Sequence, residues 1–248
     1  DQGTYWNMSR HFDRSGALPY IDKTREKIKN DPELLSIYDS NCHSSWHLAD
    51  KFYFHVPGLF IDRLEQSRYT FQFYHLHPLW MSISGWIFGT ENRAGSSVFF
   101  SILAIACWVL CFLELGGLPS RAVLLGACLA VHPLLSFFAK LPVSESTAGA
   151  FFAAALYYLL RFRRQAQRGV VVQGYLWISL LCVAQFCLTR ITGFLLLPCT
   201  VLLYAAAKIG RPAEQKTLLA RYAMIATALY FLSALYGLLY SPQYFVYI

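Results

Sequence analysis

From Gly174 to Ala207 the chain is almost continuously apolar, with Gln185 and Arg190 as the conspicuous interruptions. As one helix this stretch would be roughly 50 Å long, against about 30 Å for the hydrocarbon core of a bilayer. A single straight span is too long, so two shorter spans must meet within it. The segment Leu188-Thr189-Arg190-Ile191-Thr192-Gly193 supplies the natural hinge. A guanidinium seeks the polar boundary, and glycine permits a sharp backbone turn. The pattern predicts a membrane helix, a turn at one membrane face that holds an arginine, and a returning helix.

The rest of the chain is built in the same way. Hydrophobic residues make up 56% and charged residues 14%, well below the roughly one-quarter charge of a soluble domain. Six apolar runs follow one another at 98–113, 122–139, 147–160, 174–188, 191–207 and 218–240. These imply an all-α fold, a polytopic bundle of about six spans over residues 96–248. Most runs are shorter than about 20 residues, so flanking residues complete them or the bilayer thins. Pro133 should kink the second run, and Pro198 lies within the fifth. His132, beside Pro133, is expected to bond a carbonyl inside the bundle. The net charge of +7 is explained by basic cytoplasmic loops. No basic groove motif points to nucleic acid. Six of the seven cysteines lie in apolar runs, where they act as small hydrophobes, and Cys42 has no partner nearby, so no disulfide framework is implied.

Residues 1–95 form a long polar and aromatic segment. Tyr5, Met8 and Phe12 recur at helical spacing and Gly16 follows as a stop, which predicts a short amphipathic helix on the membrane surface. Asp31-Pro32-Glu33 is a helix start: a cap, a proline in the first turn and an acid at the positive dipole end. The remainder to Gln72 reads as irregular loop. His77-Pro78 opens another short helix with Leu79, Ile83 and Ile87 on one face, ending at Gly89; Gly85 and Gly89 make a helix-packing pattern. A chain that opens on Asp1 reads as a piece of a longer protein.

Orientation follows from the basic clusters. Arg161, Arg163, Arg164 and Arg168 form one, and Lys208, Arg211, Lys216 and Arg221 another; both are expected to be cytoplasmic. By alternation, residues 1–95, the turn 140–146, the hinge at Arg190 and residues 241–248 then share the outer face. An arginine on that face, in a turn with almost no other polar group, is a functional candidate. It is either a snorkelling anchor in the headgroups or a clamp for a lipid phosphate or pyrophosphate. On the same face Asp1 is either a helix cap or a general base. Lys140 either pairs with Glu145 or assists with phosphate. Glu145 is favoured at a helix start by the dipole alone. His75 and His77 are a poor metal signal without a third ligand; they cap and pack, or they contact a sugar or phosphate.

Four segments resemble polytopic GT-C glycosyltransferases, in particular the protein O-mannosyltransferase-like and aminoarabinose-transferase-like enzymes of the glycosyltransferase family 39 type. Asp1-Gln2-Gly3-Thr4-Tyr5 resembles the start of their first outer loop. Phe73-Tyr74-His75-Leu76-His77-Pro78-Leu79 looks like their HPPLYPLL segment. Leu141-Pro142-Val143-Ser144-Glu145 resembles the Ser-Glu or Thr-Glu that opens a later span, and Leu188 to Gly193 their LTRPTG-type turn. The four occur in the family's order and cover nearly the whole chain. Gln2 stands where the family usually has Glu, and Ile191 replaces the common Pro.

The resemblance implies a polyprenyl- or dolichyl-phosphate sugar donor reached from the membrane lipid, a hydroxyl acceptor and a single inverting displacement. Asp1 would act as base. Arg190, helped by Lys140, would stabilise the leaving phosphate, with His75, His77 and Glu145 on the donor side and Tyr5, Trp6 and Tyr74 as a stacking wall. Whether a divalent cation takes part stays open. The expected setting is a bacterial plasma membrane rather than the endoplasmic reticulum. The competing readings are a carrier or flippase for lipid-linked solutes, against which the ionisable residues gather at one face rather than at the midplane, and a non-catalytic scaffold, which Gln2 favours.

Overall fold

A computed structural model describes residues 2–40, 43–44, 53–56, 59–63, 66–71, 73–190 and 212–241. Asp1, the segment 191–207 with Gly193 and Pro198, and the last seven residues lie outside this set.

Helix α1 runs from Gln2 to Ser15, and Gly16, at φ 64°, ends it as its spacing foretold. Tyr5 and Met8 are buried on one side. They pack with Phe71, Phe73 and Met81 into a small core, so the apolar stripe of α1 faces protein. Helix α2 (Lys23–Ile28) starts on Asp22, whose carboxylate accepts from the backbone N–H of Thr24 and Arg25. Helix α3 (Pro32–Ser40) starts as expected, with Asp31 accepting from Glu33 and Leu34.

The stretch expected to be irregular contains a five-stranded antiparallel sheet. Its strands are β1 (Tyr20–Ile21), β2 (His43–Ser44), β3 (Tyr53–Val56), β4 (Leu59–Arg63) and β5 (Arg68–Phe71), in spatial order β1-β5-β4-β3-β2. Strands of two to five residues show too little alternation to stand out in a sequence. Beside the sheet, Asp22 accepts from the hydroxyls of Tyr38 at 2.6 Å and Tyr69 at 2.8 Å. Burial raises the Asp22 carboxyl, but these hydrogen bonds together outweigh it and leave its pKa below the usual value. Buried Arg25 forms a two-point pair with Asp39 and donates to Ser67, closing the network.

Helix α4 (Leu76–Phe88) follows, ending at Gly89 (φ 95°, ψ 151°), a conformation that only glycine adopts readily. Then come α5 (Gly95–Glu114), α6 (Pro119–Val131), α7 (Pro133–Lys140), α8 (Ser144–Gln167), α9 (Gly174–Thr189) and α10 (Ala213–Tyr240). They coincide with five of the six apolar runs; the fifth run lies outside the described residues. Two of them, α5 and α10, are long and apolar enough to cross a membrane. A third span results if α6 and α7 are one helix broken by the 57° bend at His132-Pro133. That bend is where Pro133 was expected to kink the chain. His132 is exposed at the joint, not bonded inside a bundle, because the bend turns it out of the helix pair.

α8 is the central post, with α5 and α9 along its sides. Ala148, Ala150, Ala153, Ala154 and Ala155 are all buried, and small side chains let helix backbones come close. Ser101 of α5 donates to Ser146 of α8 at 2.9 Å, and Ser179 of α9 to the Ala155 carbonyl at 2.7 Å. Large apolar side chains such as Phe99, Ile102, Leu181, Phe231 and Leu239 point outward. Such a surface suits lipid and would be a liability in water.

Candidate functional site

The first turn of α8 joins four other helices through four consecutive residues. Ser144 accepts from the Tyr5 hydroxyl of α1 at 3.0 Å. Glu145 Oε1 accepts from Arg190 Nη1, just past the end of α9, at 2.6 Å. Ser146 meets Ser101 of α5. Thr147 Oγ1 lies 2.9 Å from Nδ1 of His77 on α4. The sequence Val143-Ser144-Glu145-Ser146-Thr147 does this because successive helical residues point about 100° apart, so each reaches a different neighbour. α9 ends at Thr189, and Arg190 is already extended (φ −142°, ψ 134°). The helix therefore stops at the arginine; the rest of the expected hinge and the returning span lie outside the described residues. The beginning of α1, the beginning of α8 and the end of α9 converge at one end of the bundle.

At the opposite end of α8, Arg161 and Arg164 both reach Glu114, which is buried at the end of α5. The two charged clusters are separated by the 16 residues from Glu145 to Arg161, about 24 Å of helix.

The expected site residues divide. Arg190 and Glu145 are brought together, each partly exposed. Glu145 pairs with Arg190 and not with Lys140, which is exposed at the end of α7. His75 and His77 diverge, because His75 precedes α4 and His77 lies in its first turn. His77 is fully buried between Thr147 and the Tyr5 ring, whose centroid is 5.0 Å away. Burial pulls its pKa down to about 3, opposed in part by the Pro142 carbonyl. Its Nδ1 is engaged by Thr147 and its ring packs edge-on to Tyr5, which places it in the core between helices. Burial likewise lowers the pKa of His75, to about 4, and its Nδ1 lies 2.7 Å from the Tyr236 hydroxyl of α10.

The proposed aromatic wall is mostly core. Tyr5 is buried, stacked on Phe73 at 4.8 Å and bonded to Ser144. Tyr74 is 1% exposed and donates to the Ser233 carbonyl at 2.7 Å. Trp6 packs against the Tyr5 cluster. Asp1 lies outside the described residues. Among those described, no three His, Cys, Asp or Glu residues converge on a metal position.

A cavity of about 550 Å³ opens where the C-terminal half of α1 faces α4, α9 and α10. Phe12, Leu79, Ile83 and Leu188 supply apolar wall, and His75 and Tyr236 form a polar corner. The Leu79 and Ile83 stripe of α4 therefore faces this opening. The small and polar face of α4, with Ser82, Ser84 and Gly85, packs inward. Asp13 also lines the cavity, held by Arg93 and Ser82. Sequence reasoning passed over Asp13 and Arg93; 80 residues separate them. The one local trace is Gly85, read as a helix-packing glycine. A Cβ there would come within 2.9 Å of Arg93 Cγ, so this position makes room for the arginine.

No family model matches the chain, and neither a curated protein nor a solved structure matches it.

Proposed function

We propose that this chain is part of a membrane glycosyltransferase of the GT-C type. It transfers a sugar from a polyprenyl- or dolichyl-phosphate donor to a hydroxyl acceptor. The observation that carries this reading is the pairing of Glu145 with Arg190 beside the start of α1. A guanidinium at the rim of a helix bundle matches a phosphate oxygen pair. The N-terminal dipole of α8 favours negative charge at the same point. Glu145 holds the guanidinium there, and the donor phosphate takes its place or shares it.

In the reaction, Asp1 removes the proton of the acceptor hydroxyl. The oxygen attacks the anomeric carbon from the face opposite the phosphate and forms the new glycosidic bond. The bond from the anomeric carbon to the phosphate oxygen breaks, and its electron pair stays on the phosphate. Arg190 stabilises that developing charge. Lys140, exposed at the end of α7, is a second cation for the lipid phosphate.

The clusters at the two ends of α8 fit a multi-pass arrangement in a bacterial plasma membrane. The Arg161 and Arg164 end is cytoplasmic, and the Arg190 end lies on the outer face. The test is Asp1→Asn in the full-length protein, with sugar transfer measured from a polyprenyl-phosphate donor. A fall in turnover of two or more orders of magnitude is expected for loss of the base. Undiminished turnover would remove Asp1 from the mechanism.

A further inference from the structure

The 550 Å³ cavity contains one charged side chain among its described lining residues, Asp13. Its support is unusual. Arg93 is 3% exposed and gives one guanidinium nitrogen to Asp13 Oδ2 and the other to Ser9 Oγ, the latter at 2.7 Å. The Ser82 hydroxyl donates to Oδ1. The Asp13 side chain itself is 30% exposed. A carboxylate offers about four acceptor positions. One on each oxygen is occupied from the protein side, which leaves acceptor capacity on a partly exposed side chain that lines the cavity.

This arrangement selects by sign and by hydrogen-bond type. A carboxylate only accepts, so it welcomes hydroxyl donors and repels phosphate. A buried guanidinium holds it, so the group is presented in a set orientation. Around it the walls are apolar, and Trp86, 88% exposed, stands at the edge of the cavity. A volume of this size accommodates a small ligand.

We infer that the cavity binds the neutral, hydroxyl-bearing end of an amphipathic molecule, with Asp13 as the residue that selects hydroxyls over anionic groups. This deepens the transferase reading and rests on it for the role of the hydroxyl group, which belongs to the sugar or to the acceptor. The anionic part of a donor then sits at the Arg190 end, and the two demands are met by different residues. Arg93 is the positioning residue for Asp13, and Gly85 gives it passage.

The experiment uses the full-length protein in lipid nanodiscs. Two probes are compared below their micelle concentrations, n-octyl β-glucoside and n-octyl phosphate, each carrying a diazirine on the alkyl chain. After illumination the labelled residues are mapped by peptide mass. Saturable labelling of the 76–88 segment by the glucoside, and not by the phosphate, is expected. Asp13→Asn should weaken glucoside labelling about tenfold, the usual effect of losing a charged hydrogen-bond partner. Ile83→Trp, which fills the cavity and leaves the Asp13–Arg93 pair intact, should abolish it.

Equal or stronger labelling by the phosphate in the wild type would overturn the inference. So would unchanged glucoside labelling in a folded Asp13→Asn protein or in Ile83→Trp. If Asp13→Asn fails to fold, the wild-type probe comparison and Ile83→Trp decide. The readout needs no turnover, so failure here leaves the transferase reading standing, and loss of that reading leaves the labelling result intact.

Discussion

Arg190, the first residue beyond α9, donates to Glu145, the second residue of α8, at 2.6 Å. Forty-five positions apart in the chain, these two charges meet at the end of the bundle where α1 begins. Neither is buried deeply enough for the pair to be chiefly structural. Partly exposed ion pairs contribute about 0–1 kcal/mol. Glu145→Gln should therefore leave thermal stability nearly unchanged. A large loss of stability in that variant would mark the pair as part of the packing.

Beside that pair, the first turn of α8 makes three buried polar bonds, through Ser144, Ser146 and Thr147. Thr147→Val removes the partner of His77 Nδ1 without changing shape. A buried polar group left without its partner costs about 1–3 kcal/mol. A loss of that size is expected in thermal or chemical unfolding of the protein in detergent. No loss would show that His77 finds another partner at once.

Gly85 offers a contrast with Gly3. A Cβ at Gly85 presses on Arg93 Cγ at 2.9 Å, and that side chain is pinned by Asp13 and Ser9. Gly85→Ala should destabilise by about 1–3 kcal/mol through overpacking. Gly3 lies within α1 and a Cβ there meets nothing within 4 Å. Gly3→Ala should stabilise by up to about 1 kcal/mol, since alanine favours the helix. The two midpoints of unfolding, measured side by side, check the pair.

Much of this architecture is legible in the residues. The apolar runs mark α5 to α10 apart from the segment outside the described residues. Pro133 marks the bend, Gly16 and Gly89 mark stops, and Arg190 marks the end of α9. These are local signals, each set by one residue's backbone preference or by a sustained run. The sheet between α1 and α4 was not legible, because strands of two to five residues carry almost no periodicity. The site was legible only in part. Arg190 and Glu145 stand out as charges among apolar neighbours. That they bond each other, and that Asp13 reaches Arg93, depends on how helices pack across 45 and 80 residues. Tyr5 and Tyr74 look like ligand stackers in sequence, yet their hydroxyls find protein partners and their rings fill the core.

The two histidines give a signed dependence on pH. Folded values of about 3 for His77 and about 4 for His75 lie below the ordinary value of 6.5. The unfolded chain thus takes up protons first as pH falls. Stability should be full above pH 6.5 and decline progressively from there toward pH 4 and pH 3. The midpoint of thermal unfolding in nanodiscs is expected to fall between about pH 7.5 and about pH 5. His77→Gln should start lower and fall less. An equal fall in wild type and variant would show that His77 is not the group responsible.

The decisive measurement is single-turnover sugar transfer by the full-length protein from a polyprenyl-phosphate donor, comparing wild type with Arg190→Gln. The expected result is a fall of about 10²–10³ in rate at saturating donor, the size of effect seen when a group that stabilises developing negative charge is removed. Wild-type turnover in Arg190→Gln would contradict the assignment of the guanidinium to the leaving phosphate and leave Arg190 as a membrane anchor.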